Sequence, residues 1–148
     1  KAGEDVGEDG KIALRSYGSM SYAGLLSLVY SDLTADDPRV KTVITWLSKN
    51  FTLKENPGLG NQGLFYYYHV MAKTLAAAHL PTLDGPGGKK IDWRSELSTK
   101  VLSSQREDGS WINEISRWME NEPILVTCYA VMTLEQIHRT FPLKAESN

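Results

Sequence analysis

Ser21-Tyr22-Ala23-Gly24-Leu25-Leu26-Ser27-Leu28 has two counterparts further along the chain: Tyr68-His69-Val70-Met71-Ala72-Lys73-Thr74-Leu75 and Thr127-Cys128-Tyr129-Ala130-Val131-Met132-Thr133-Leu134. Leu28, Leu75 and Leu134 hold the same place in the three segments, so the steps are 47 and then 59 residues. Each segment is apolar and rich in small side chains, and each step spans two helical patterns. The repeating unit is therefore a helical hairpin, and a run of hairpins predicts a solenoid in which each unit leans on its neighbours. Two loop-like stretches, 81–90 and 106–122, absorb the longer second step.

Outward from those segments the periodicity is that of α-helices. Tyr22, Leu25, Leu26, Val29 and Tyr30 fall on one face of a helix predicted from Ser19 to Asp32. Asp37 followed by Pro38 is a start signal for a second helix, Pro38 to Asn50, with Val40, Val43, Ile44 and Leu47 on one stripe. A break at Asn56-Pro57-Gly58-Leu59-Gly60 precedes a third, Gln62 to His79, aromatic at its head. A fourth runs from Asp92 to Gln105 and a fifth from Pro123 to Arg139. No useful length alternates with a period of two, so the fold class is all-α. Residues 1–148 form a single domain, in which 1–12 is acidic, glycine-rich and expected to be a loop or frayed end.

The three matched helices are apolar nearly all round, whereas the two between them carry more Lys, Arg, Ser and Glu. A helix apolar on all sides is buried and an amphipathic one covers it, which gives the order inner, outer, inner, outer, inner.

Bulk composition excludes several classes of function. Hydrophobic residues are 41% and charged residues 23% of the chain, an ordinary globular balance. A net charge of −2 provides no footprint for nucleic acid. No apolar run approaches the roughly 18 residues that span a bilayer. A soluble protein of the cytoplasm or periplasm is expected, and the lone Cys128 leaves that choice open. The chain opens at Lys1 without an initiator methionine, as a processed product or fragment would.

Gln105-Arg106-Glu107-Asp108-Gly109-Ser110-Trp111, following the end of an outer helix, resembles the QW motif of squalene and hopene cyclases. Protein prenyltransferase β-subunits carry related repeats, and Arg15 to Leu26 and Gly63 to Lys73 are similar to bacterial cyclase-like repeat proteins. The resemblance covers about residues 10–140 and implies a partial α/α toroid, the C-terminal part of a terpenoid cyclase- or prenyltransferase-like ring. It implies that Gln105 closes the outer helix and Trp111 stacks against it, with Gly109 permitting the turn. It further implies an isoprenoid ligand in the full-length protein. The alternative is a non-catalytic toroid that serves as an interaction scaffold.

Hopene-type cyclases use an acid in a D-x-D-D motif, and this chain offers only Thr34-Ala35-Asp36-Asp37-Pro38, where helix capping is the better account. Prenyltransferases hold zinc through Asp-x-Cys and a distant His. Here Val126 stands two before Cys128, and His138 lies ten residues on, so no metal and no cofactor are assigned. Cys128 is expected to be a small buried hydrophobe. Candidate cavity-lining residues are Tyr22, Tyr67, Tyr68, His69, Trp118 and Cys128, with the aromatic row Phe65 to Tyr68 beside His69 the best candidate for ligand contact and core packing the alternative for the tyrosines. Trp111, Trp118, Glu120 and Glu122 form an aromatic-acidic loop before the last helix that either edges a cavity or is a loop pinned by its tryptophans. Repeat equivalence puts Tyr22, His69 and Cys128 at one level of the inner ring. A closed toroid needs roughly five or six hairpins, so either upstream hairpins or a second copy in a homodimer is expected to complete this one.

Overall fold

Asp37 and Pro38 act as their order implies. In the computed structural model the Asp37 carboxylate accepts the Arg39 backbone N–H at 2.8 Å and Pro38 opens the helix, where its missing donor costs nothing. The structure describes residues 4–6, 12–14, 16–85 and 88–141. Among them five α-helices follow one another: α1 (Gly18–Tyr30), α2 (Pro38–Lys49), α3 (Leu64–Ala77), α4 (Trp93–Leu102) and α5 (Pro123–Thr140). The chain is mostly helical, and the all-α class holds.

Two short antiparallel ladders depart from the predicted loops. Strand β1 (Glu4–Val6) pairs with β2 (Ile12–Leu14), within and just beyond the stretch expected to be frayed. The rest of 1–12 lies outside the described residues. Strand β3 (Leu83–Asp84) pairs with β4 (Lys90–Ile91) inside the 81–90 loop. Leu83 and Ile91 face each other across that ladder and are both buried, which pins the loop to the core. Strands of two or three residues are too short to register as a period of two.

Helix α3 lies between α1 and α5; α2 packs against α1 and α4 against α5. The buried side of α3 includes Phe65, Tyr67, Tyr68, Val70, Met71, Ala72, Thr74 and Leu75, as expected of a central helix. The Tyr67 hydroxyl donates to the Thr52 carbonyl at 2.9 Å and that of Tyr68 to Leu53 at 2.6 Å, tying α3 to the connection before it.

The repeat register relates the sides that the three matched helices, α1, α3 and α5, bury. Gly18, Tyr22 and Leu25 are the buried positions of α1 with this spacing, and their equivalents on α5 are Ile124, Cys128 and Val131, all exposed. Conversely α5 buries Val126, Ala130, Thr133 and Ile137, whose equivalents on α1 are Met20, Gly24, Ser27 and Ser31, again all exposed. Helix α3 buries or half-buries both sets: Tyr67, Met71 and Thr74 on one side, Phe65, His69 and Ala72 on the other. The first side meets α1, with the Tyr22 and Tyr67 ring centroids 5.8 Å apart and the Thr74 hydroxyl donating to the Tyr22 carbonyl at 3.0 Å. The second leans toward α5, where His69 stacks on Tyr129 at 5.8 Å. The α1–α3 and α3–α5 contacts use the same two faces.

Candidate ligand-binding site

The least buried residues along the middle of α3 are Tyr66, His69, Lys73 and Ala76, spaced three, four and three apart, so they form one stripe. A cavity of about 310 Å³ opens at the head of that stripe, lined by Tyr17, Ser19, Met20, Tyr66, Trp118, Glu120 and Tyr129. It lies beside the N-terminal ends of α1 and α3 and against one turn of α5. Tyr66 and Tyr129 meet edge to face with centroids 5.8 Å apart.

Two buried polar side chains build this rim. Asn56, with no exposed surface, accepts the Ser19 N–H at 3.0 Å on Oδ1 and donates through Nδ2 to the Ser19 hydroxyl and the Gln62 carbonyl, both at 3.1 Å. It thereby satisfies a free first-turn donor of α1. Glu120, only 1% exposed, accepts the Tyr66 N–H at 2.8 Å and the Asn113 Nδ2 donor at 2.6 Å. Its negative charge sits at the positive end of the α3 dipole. Asn113 Nδ2 also donates to the Asn61 carbonyl at 2.7 Å, completing a network that a buried carboxylate requires.

Trp118 forms one wall in an unusual backbone state. Its φ is +56° and that of Met119 is +63°, two successive left-handed residues without glycine. Each costs roughly 1–2 kcal/mol against the right-handed form, and such outliers concentrate at working sites. The Arg117 guanidinium lies 4.8 Å from the Trp118 ring centroid. A Cβ on Gly63 would stand 3.0 Å from the Trp118 ring, so glycine at this left-handed position also leaves room for the indole.

The six candidate lining residues separate. Trp118 lines the cavity. Tyr22 and Tyr67 are core residues. Burial raises the pKa of the Tyr22 hydroxyl, which finds no partner among the described residues, and burial also raises that of Tyr67. Tyr68 is buried too and edges a separate recess of about 210 Å³ with Phe65 and Lys100. Burial, then the Glu120 charge, pushes its hydroxyl pKa upward. His69 is half-buried beside Tyr129, and burial followed by the nearby Lys73 charge lowers its pKa. Cys128 corrects the expectation of a buried thiol: it is exposed. It sits two positions from buried Val126, on the side of α5 turned away from α3, so repeat equivalence does not give Tyr22, His69 and Cys128 one environment. Sequence reasoning missed Tyr17 and Tyr129, and it placed Tyr66 only within the aromatic row and Glu120 only within the loop before α5. Only the pairing of aromatic residues with acids near Trp118 hinted at a cavity edge there.

Within the Gln105 to Trp111 motif, Trp111 rather than Gln105 closes the end of α4, while Gly109 makes the turn. Gln105 Nε2 donates to the Gly109 carbonyl at 2.9 Å, closing its own turn, in which Gly109 has φ +82°. Trp111 Nε1 instead bonds the Val101 carbonyl at 2.7 Å in the last turn of α4. The Trp111 backbone N–H donates to the Thr127 hydroxyl at 3.2 Å, so this one residue joins α4 to α5.

Asp37 is a surface cap, held ionised by Arg39, and not an acid in an apolar cavity. Among the described residues no three His, Cys, Asp or Glu side chains gather as a metal site would need. Among the described residues no helix is long and apolar enough to cross a membrane. Compared with protein-family models, curated proteins and solved structures, the chain has no match.

Proposed function

We propose that this chain is part of an α/α toroid of the squalene-cyclase and prenyltransferase type, and that its aromatic cavity binds an isoprenoid chain. The observation that carries this reading is the 310 Å³ cavity walled by Tyr17, Tyr66, Trp118 and Tyr129 on the uncovered stripe of the inner helices. That volume falls at the lower end of the roughly 300–1,000 Å³ typical of small-molecule sites. Aromatic faces favour apolar chains and the positive charge that prenyl chemistry develops. A separate cavity of about 660 Å³ lies further along α3, where Lys73, Arg94 and Arg139 join Leu80 and Trp93 in the wall.

The test is titration of the purified chain with farnesol, read by tryptophan fluorescence and calorimetry. Saturable binding is expected, weakened about tenfold by Tyr66→Ala and by Trp118→Ala, each of which removes an aromatic wall. No saturable binding, or binding indifferent to both substitutions, refutes the proposal.

A second reading is favoured by the apolar outer side of α5, where Ile124 is 83% and Val131 52% exposed. There the toroid serves as a non-catalytic scaffold for another protein. A purified chain that shows no saturable farnesol binding, yet holds a different protein through this face and loses it in Val131→Asp, favours the scaffold; saturable farnesol binding favours the first reading.

A further inference from the structure

The two uncovered faces of the inner layer are the two halves of the contact already made within the chain. Tyr22 of α1 meets Tyr67 of α3, and the positions equivalent to these are Cys128 on α5 and Met20 on α1. On α5, Ile124, Cys128 and Val131 are exposed in the places where α1 buries Gly18, Tyr22 and Leu25. On α1, Met20, Gly24 and Ser27 are exposed in the places where α3 buries Tyr67, Met71 and Thr74.

We infer that a second copy of this chain docks head to tail on this face of α5, using the Met20, Gly24 and Ser27 side of its own α1. The chemistry of both faces fits. Neither trio carries a charge, and the next position along the α5 face, Glu135, already has its counter-ion in Arg139 at 2.6 Å. Gly24 stands mid-helix with nothing within 4 Å of where its Cβ would be, a position where glycine costs helix stability without any gain inside the chain. A neighbouring helix approaching closely accounts for it. A twofold arrangement of two copies satisfies both faces of each and places six inner helices in one ring. Cys128 then lies against Met20 of the partner subunit.

Sedimentation velocity and disulfide trapping test this directly. The 148-residue chain is expected to sediment as a dimer. Met20→Cys should cross-link with native Cys128 under mild oxidation into a covalent dimer, far faster than a Lys49→Cys control on α2. Val131→Asp is expected to weaken association at least about tenfold. Gly24→Leu, which adds bulk only where the fold leaves space, should give a folded monomer by circular dichroism. The inference is overturned if the unmodified chain stays monomeric across a wide concentration range. It is equally overturned if Met20→Cys cross-links no faster than the control, since further hairpins or another protein would then cover the face.

Discussion

Glu120 holds one carboxylate oxygen 2.8 Å from the backbone nitrogen of Tyr66, 54 residues earlier in the chain. The central helix α3 thus takes a first-turn acceptor from the loop before α5. Its own N-cap residue, Gly63, has no side chain to offer. Replacing Glu120 by alanine strands the Tyr66 N–H and one Asn113 donor in a buried place. Each stranded donor costs roughly 1–3 kcal/mol. Glu120→Ala should lower the urea midpoint by an amount equivalent to about 2–4 kcal/mol, while Asn113→Asp, which sets two carboxylates together, should also destabilise.

Trp111 combines a buried ring with a hydrogen bond to the Val101 carbonyl, and two substitutions separate the contributions. Trp111→Phe keeps most of the ring and loses the donor, for an expected cost of about 1 kcal/mol or slightly more. Trp111→Ala empties the site as well and should cost about 3–5 kcal/mol. Equal losses for the two in chemical denaturation would show that the hydrogen bond dominates the clamp.

Gly63 tests the coupling of backbone to cavity. Alanine there must adopt φ +63° and meets the Trp118 ring at 3.0 Å. The left-handed backbone alone costs about 1 kcal/mol. Gly63→Ala should therefore destabilise by about that much, shift the tryptophan emission and weaken farnesol binding, whereas Gly60→Ala, which has φ +59° but meets nothing, should affect stability alone.

Acid should weaken the fold in two stages. The hydrogen bonds from Arg39 hold the Asp37 carboxyl at about 2, below its ordinary 3.8. Between those values the unfolded chain binds the proton and the folded chain does not, so the Asp37 contribution is complete above 3.8 and lost as pH falls through about 2. Asp37→Asn retains a capping acceptor and removes the titration. Thermal midpoints of this variant should fall less steeply with acid over that range. His69, whose pKa burial and then Lys73 push below the ordinary 6.5, adds an earlier loss as pH drops beneath that value. His69→Phe should remove that earlier stage.

Helices α2 and α4 were legible in the sequence because they carry their own start signals. Asp37 caps α2 and Asp92 caps α4, each accepting an N–H two residues on, at 2.8 and 3.2 Å. Helices α1 and α3 were legible as repeats and from apolar periodicity, without a capping side chain to mark where they begin. Their starts depend on Asn56 and Glu120, contacts 37 and 54 residues apart in sequence that no local pattern encodes. Trp118 stood out as a wall because of its size and its acidic neighbours. Tyr66 was hidden within a run of four aromatic residues, where helical phase alone decides which one faces outward. Cys128 was misjudged because repeat equivalence matches position along a helix, and α5, last of the three matched helices, has only one of the others, α3, to bury against.

Remote capping also orders events in time. During synthesis α3 leaves the ribosome well before residues 113–120 do. Until they emerge, the Tyr66 donor has only water to meet, and the Asn113–Glu120 network is absent. The outer helices α2 and α4 close their caps as soon as their own first turns appear. The nascent chain therefore completes its periphery first and its centre last. A translational pause placed before residue 113 should leave α3 accessible to protease, whereas one placed after α5 should leave it protected.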